Sequence, residues 1–204
     1  MSEENSTRKK SWKDNYLVQA WLILLMAALY SAVLILVQLN WGPIIKENQR
    51  QATYSQIPVL VPNTDVANVV EKTLEKGGKK VVAYQCFDAQ KNPTGWVLPA
   101  SGQGFADAVD LLVGLDTSAS KLTGLVVINQ KETPGLGNLI KEESFRKQFI
   151  GTAADQDITV VKGRDGSPEK NEIRALTGAT ISSQSVCDIV NSTLKTWREE
   201  LNKQ

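Results

Sequence analysis

The sequence predicts an α+β protein: a single N-terminal transmembrane helix, then one external domain with a largely antiparallel sheet and flanking helices. Three observations carry this reading. No charged residue lies between Asp14 and Lys46, and Tyr16 to Leu39 is almost continuously apolar. Short strand-like runs separated by glycine-bearing loops fill the middle of the chain without a regular βαβ alternation. The C-terminal stretch repeats apolar residues at helical spacing from a polar start at Ser182-Ser183: Val186, Ile189, Val190, Leu194, Trp197 and Leu201. With 204 residues, 42% of them hydrophobic, the chain has material for one core and an appendage, not for two large domains.

Residues 1–15 read as a cytoplasmic tail, because Arg8, Lys9, Lys10 and Lys13 precede the apolar run and the positive-inside bias keeps them in the cytoplasm. Residues 16–39 are the transmembrane helix. At 1.5 Å per residue they reach roughly 36 Å, enough to cross about 30 Å of hydrocarbon with some tilt. Trp12, Tyr16, Trp21 and Trp41 stand near its ends, where interfacial aromatics belong. A signal peptide has a shorter apolar region and a small-residue cleavage site, so Gln38-Leu39-Asn40-Trp41 argues for an uncleaved anchor. Residues 40–63, with Pro43, Pro58 and Pro62, read as a tether, and 64–204 as the external domain. Within it, Val66, Val69, Val70 and Leu74 predict a helix, capped by Asn63 or Asp65 and stopped by Gly77-Gly78. Strands are expected at Val81–Phe87, Trp96–Leu98, Leu122–Ile128 and Ile158–Val161, and a short helix at Glu142–Phe149. Loops are expected at Ser101-Gly102-Gln103-Gly104 and Thr133–Gly137.

Composition narrows the function. Removing the tail from the totals leaves 19 basic and 19 acidic residues, so the body is neutral. It lacks the basic stripe that a phosphate backbone requires, and nucleic acid is not an expected partner. Histidine is absent, which excludes a His-ligated metal and a His general base. Cys86 and Cys187, 101 positions apart, make neither a zinc site nor an iron–sulfur cluster alone. Buried free thiols are the favoured reading over a disulfide.

Neither glycine loop fits a dinucleotide fingerprint or a P-loop. Glu132-Thr133-Pro134-Gly135-Leu136-Gly137, alone, reads as a tight turn. Thr177-Gly178-Ala179-Thr180 reads as a helix entry, but it offers something more specific. Small residues leave the Thr180 hydroxyl accessible, and the helix that follows presents unpaired N–H groups to an anion held there. A domain without histidine and poor in cysteine has few side chains of its own for redox chemistry.

Taken together and in this order behind one anchor, the two motifs resemble the FMN-binding domain family. The resemblance is nearest to the G-type members found in Rnf electron-transport complexes and to the related C-type members of sodium-translocating NADH:quinone reductases. It covers the anchor and nearly all of the external domain. It implies covalent FMN: a flavin transferase using FAD esterifies the last Thr of the motif, here Thr180, to the FMN phosphate. Thr177, Gly178 and Ala179 complete the attachment loop, and Thr177, Ser182 and Ser183 are the fallback acceptors. Glu132, Thr133, Gly135, Leu136 and Gly137 are expected near the flavin ring, with Glu132 and Thr133 orienting it and the two glycines permitting close approach of the backbone. Two departures stand out. Relatives often carry an acidic residue where Arg174 stands, which bears on recognition by the transferase, and many carry His where Gln130 stands. The implied function is an electron-carrying subunit of a translocase, not a stand-alone enzyme. Its complex couples ferredoxin:NAD electron transfer to ion pumping in the cell (inner) membrane, with other membrane subunits as partners and the flavin domain on the extracytoplasmic side. The alternatives are a C-type quinone-reductase subunit, or a cofactor-free membrane-anchored assembly module.

Overall fold

The computed structural model describes residues 16–76 and 78–201. The expected cytoplasmic tail, and Trp12 with it, lies outside the described residues. Helix α1 runs from Tyr16 to Leu60, 45 residues without a break. It is the one helix among the described residues long and apolar enough to cross a membrane, and none of its most apolar window is buried. The expected tether is therefore mostly helix. Between Pro43 and Pro58 the sequence Lys46–Gln56 is rich in Glu, Gln, Arg and Ala, good helix formers that outweigh two flanking prolines. The end of the helix also has somewhere to pack: Ile57, Leu60 and Val61 are at most 1% exposed.

The chain divides into two compact units at Arg50 and Gln51, so the last turns of α1 belong to the second unit. That unit is built on an antiparallel meander of five strands, β1 (Val70–Lys76), β2 (Lys79–Phe87), β3 (Pro93–Gln103), β4 (Ala108–Leu115) and β5 (Leu122–Asn129), in spatial order β1-β2-β3-β4-β5. The helix expected across Val66–Leu74 is not formed. A single 3-10 turn, Val66–Asn68, is capped by the Asp65 carboxylate and gives way to β1. The β-branched residues there suit a strand, and only Leu74 of the expected apolar stripe is buried. Gly78, at φ +78°, then makes the hairpin turn into β2.

Two more expectations change. Ser101, Gly102 and Gln103 are not loop but the end of β3, paired with Asp110, Val109 and Ala108 of β4. Gly102 is needed because the C-terminal helix, α3 (Thr180–Leu201), crosses there: a Cβ would stand 2.6 Å from Ile189 Cγ1. Strand β4 itself goes unannounced by alternation, because it is buried on both faces. Val109, Leu111, Val113 and Leu115 enter one core with Leu98, Phe145, Phe149 and Val186. Leu112 enters the other with Leu60, Val97 and Val126.

The first core is covered by α3, whose buried residues include all six of the apolar positions anticipated from the sequence. It is completed by a chain of short turns around α2 (Glu143–Arg146), which stands where a short helix was expected. Strands β6 (Thr159–Val161) and β7 (Glu172–Arg174) form a small parallel pair. Asn191 of α3 pins this pair by accepting from Ile158 N at 2.8 Å and donating to Ile158 O at 2.9 Å. Gln148 holds the Arg174 backbone in the same two-handed way. These ties set the path of residues 175–179 into the start of α3.

Candidate functional site

The residues singled out by the sequence meet at one end of the sheet. The 132–137 loop turns on the Thr133 carbonyl, which accepts from Leu136 N and Asn138 N, both at 3.2 Å. Gly135 sits at φ +75° and a Cβ there would meet nothing within 4 Å, so its role is the turn itself. Across from it, Gly178 is at φ +79°, and a Cβ there would come within 2.9 Å of Leu136 Cδ2. Glycine lets the two loops touch. The 177–180 loop is closed from behind by Ser183, whose Oγ accepts from Leu176 N and donates to Ala179 O, both at 3.0 Å.

Glu132 ties three segments together. It is only 4% exposed. Its Oε1 accepts from Phe105 N at 2.8 Å and Ala106 N at 3.1 Å, and its Oε2 accepts from Ser182 Oγ at 2.7 Å. Gln130 accepts from the Glu132 N–H, so Gln130 stands as a backbone brace. Gly104 and Gly137 make room for this tie: a Cβ at the first would lie 2.4 Å from Oε1, and one at the second 2.6 Å from Ser182 Oγ and 2.7 Å from Oε2. Lys131 adds an outer tie to Asp107 at 2.9 Å. That hydrogen bond, with its charge, holds the Asp107 carboxyl below the usual carboxylate range and lifts the lysine.

These loops enclose a cleft of about 330 Å³. Three apolar side chains at its rim are exposed, Phe105, Leu136 and Ile181. Thr133 and Thr180 supply side-chain hydroxyls, and Gly137, Gly178, Ala179 and Ser182 form the rest of the lining. The volume lies within the range of small-molecule sites. The first turn of α3 opens at the same place, offering N–H groups without intrahelical partners. An aromatic ring against the apolar rim and a phosphate against the helix start both fit this lining, so the residues present suit FMN. Among the described residues no cluster of His, Cys, Asp or Glu is arranged to hold a metal.

The hydroxyls of the attachment segment differ sharply in availability. Ser183 is fully buried and doubly bonded, and Ser182 is 4% exposed and committed to Glu132. Thr177 is exposed but lines a separate cleft with Ser144, Gln148 and Arg174. Thr180 is half-buried and lines the cleft of the two motifs. Arg174 does not face this cleft; it pairs with Asp165 at 2.7 Å on the surface. Ile181 was not anticipated as a site residue. Its one signal was an apolar side chain out of phase with the buried face of α3.

Comparison with known proteins accords with this geometry. Residues 104–195 match the model of the FMN-binding domain. The chain is 39% identical over 147 residues to the G subunit of the proton-translocating ferredoxin:NAD(+) oxidoreductase complex of Clostridium ljungdahlii, covering 71% of each. It is 32% identical to the G subunit of the ion-translocating oxidoreductase complex of Methanosarcina acetivorans, covering 72% of this chain and 73% of that one. The C subunit of the Na(+)-translocating NADH-quinone reductase of Vibrio alginolyticus is 31% identical over 62% of this chain and 49% of its own length. In fold, the chain is similar to the crystal structure of the corresponding Na(+)-translocating NADH-quinone reductase protein, again the C subunit, of Parabacteroides distasonis. That match has a TM-score of 0.62 and 16% identity, over 78% of this chain and 96% of the other. The chain thus belongs to the FMN-binding domain family, with relatives among the G subunits of ion-translocating oxidoreductase complexes and the C subunits of Na(+)-translocating NADH-quinone reductases.

Proposed function

We propose that this protein is the FMN-carrying subunit of a membrane-bound translocase that couples ferredoxin:NAD electron transfer to ion pumping, with FMN esterified through its phosphate to Thr180. It serves as one subunit among other membrane subunits and is not an enzyme by itself. The observation that carries the attachment residue is the availability of hydroxyls: Thr180 is the one Ser or Thr of 177–183 that both lines the cleft and is not committed to a hydrogen bond inside the fold. Thr177, Ser182 and Ser183 are thereby disfavoured as acceptors.

The chain's residues divide the work. Thr180 Oγ would bond to the FMN phosphorus of FAD brought by a flavin transferase, with AMP as the leaving group and its phosphate taking up the hydroxyl proton. The N–H groups of the first turn of α3 would hold the phosphate. Phe105, Leu136 and Ile181 give an apolar surface for the ring, and Thr133 offers a hydroxyl beside it. FMN supplies the one- and two-electron chemistry that no side chain here can. The covalent bond keeps it on the protein outside the cytoplasm, where no flavin pool would refill the site.

The test is intact mass after coexpression of the full chain with a flavin transferase. The wild type should exceed its sequence mass by one FMN adduct, Thr177→Ala should keep the adduct, and Thr180→Ala should lose it. Adduct retained on Thr180→Ala would refute the assignment. An unmodified wild type would favour the cofactor-free assembly module.

A further inference from the structure

We propose that Glu132 is the positioning residue of this site: its buried carboxylate fixes the rotation of the first turn of α3, and so aims the Thr180 hydroxyl into the cleft, without itself touching the flavin. The inference rests on Thr180 as the attachment residue.

The geometry argues for a tie and not a ligand. Glu132 is not among the residues lining the cleft. Its two oxygens are taken by three donors from two segments that lie 26 to 50 residues away in the chain. Ser182 and Thr180 share the first turn of α3. At 3.6 residues per turn they point about 200° apart around the helix axis. Holding Ser182 inward on Glu132 therefore holds Thr180 outward. The same carboxylate anchors the 104–106 segment that carries Phe105, so one buried group sets both the acceptor and one wall of the cleft.

The surroundings are shaped around this group. A Cβ at Gly104 would crowd Glu132 Oε1 and the Asp107 carbonyl, and one at Gly137 would crowd both Ser182 Oγ and Glu132 Oε2. A carboxylate is also favoured near the start of a helix. Removing it leaves Phe105 N, Ala106 N and Ser182 Oγ–H without their acceptor inside the protein, and the loops must shift to find another. Phosphoryl transfer to a hydroxyl is sensitive to such shifts, since an error of about 1 Å can slow a reaction by about a hundredfold.

The chemistry of the alternatives sets the experiment. In Glu132→Gln the amide oxygen still accepts from Phe105 N and Ala106 N. Its NH₂ can donate to Ser182 Oγ, which accepts as readily as it donates. The ties survive while the charge is lost. In Glu132→Ala all three ties go, and in Ser182→Ala only the tie to α3 goes. Full-length wild type and the three variants, each with FAD and the transferase, should be followed by intact mass for the initial rate of FMN incorporation. Peptide mapping locates the adduct, and the thermal midpoint is recorded for each.

Glu132→Ala and Ser182→Ala should slow incorporation at Thr180 by about tenfold or more. Glu132→Gln should stay within about threefold of wild type. If Glu132→Ala does not fold, Ser182→Ala and Glu132→Gln still decide the matter. Incorporation at the wild-type rate in Ser182→Ala would overturn the inference. So would a Gln variant as slow as the Ala one, since the charge and not the geometry would then be what counts. Adduct surviving on Thr180→Ala is a different failure, that of the attachment residue itself.

Discussion

Cys86 and Cys187 lie on opposite sides of the five-stranded sheet, one in the core under the end of α1 and the other in the core under α3. Both are free and buried. Burial pushes each thiol up to about 12. Reactivity follows the thiolate, so at pH 8 both thiols stay protonated and shielded. Native protein should therefore take up no alkylating reagent at pH 8 over the time in which denatured protein takes up two equivalents. Rapid labelling of the native chain would show that one core opens locally. The same scale explains what could be read of the site in advance. Thr180 was legible because its small neighbours and the following helix are adjacent in sequence. The tie through Glu132 was not, because its partners Phe105 and Ser182 are 27 and 50 residues away and only the fold brings them together.

At the level of elements, the seat for the end of α1 is a pair of glycines facing each other across β4 and β5, Gly114 and Gly124. A Cβ on Gly114 would lie 2.9 Å from the Leu60 carbonyl oxygen and 2.7 Å from Thr123 Oγ1. On Gly124 the nearest contact would be 3.2 Å, with the flexible Leu60 Cδ2. Gly114→Ala should thus destabilise the second unit by about 1–3 kcal/mol and more than Gly124→Ala does, measured by denaturant unfolding. Equal effects would mean the seat gives way easily. The docked segment also matters for where the unit begins. Ile57, Leu60 and Val61 are each worth about 1.5–3 kcal/mol of burial as an upper estimate, together a large part of a typical stability of about 5–15 kcal/mol. A fragment of residues 51–204 should unfold cooperatively, whereas 64–204 should melt many degrees lower or aggregate. Similar midpoints for the two would show that the segment is dispensable. This boundary was hidden in the sequence because prolines at 43, 58 and 62 look like a tether. Strand β4 was hidden because burial on both faces erases the alternation that marks a strand. By contrast α3, buried on one face only, kept its periodicity and could be read.

For the molecule as a whole, the decisive asymmetry is where charge lies along α1 and what precedes it. Forty-five residues of helix reach roughly 68 Å, about twice the hydrocarbon thickness, so a bilayer would take in only part of α1. The uncharged stretch between Asp14 and Lys46 selects the N-terminal part. Four basic residues stand before that stretch, Arg8, Lys9, Lys10 and Lys13, whereas Lys46 and Arg50 follow it. The bias is modest in number, but a neutral body places no large charge of its own on either side, and a long following domain crosses largely regardless of charge. We therefore expect the N-terminus in the cytoplasm and the flavin domain outside it. On that side the covalent bond to Thr180 proposed above would have a purpose, since a flavin lost there would not be replaced. A reporter active only in the cytoplasm, fused after Gln204, should be silent, and one active only outside should work at the same fusion point. Replacing Arg8, Lys9, Lys10 and Lys13 together by glutamine should raise the cytoplasmic signal by weakening the bias that orients the helix. Strong cytoplasmic activity in the unaltered fusion would reverse the topology and leave the need for a covalent flavin without this explanation.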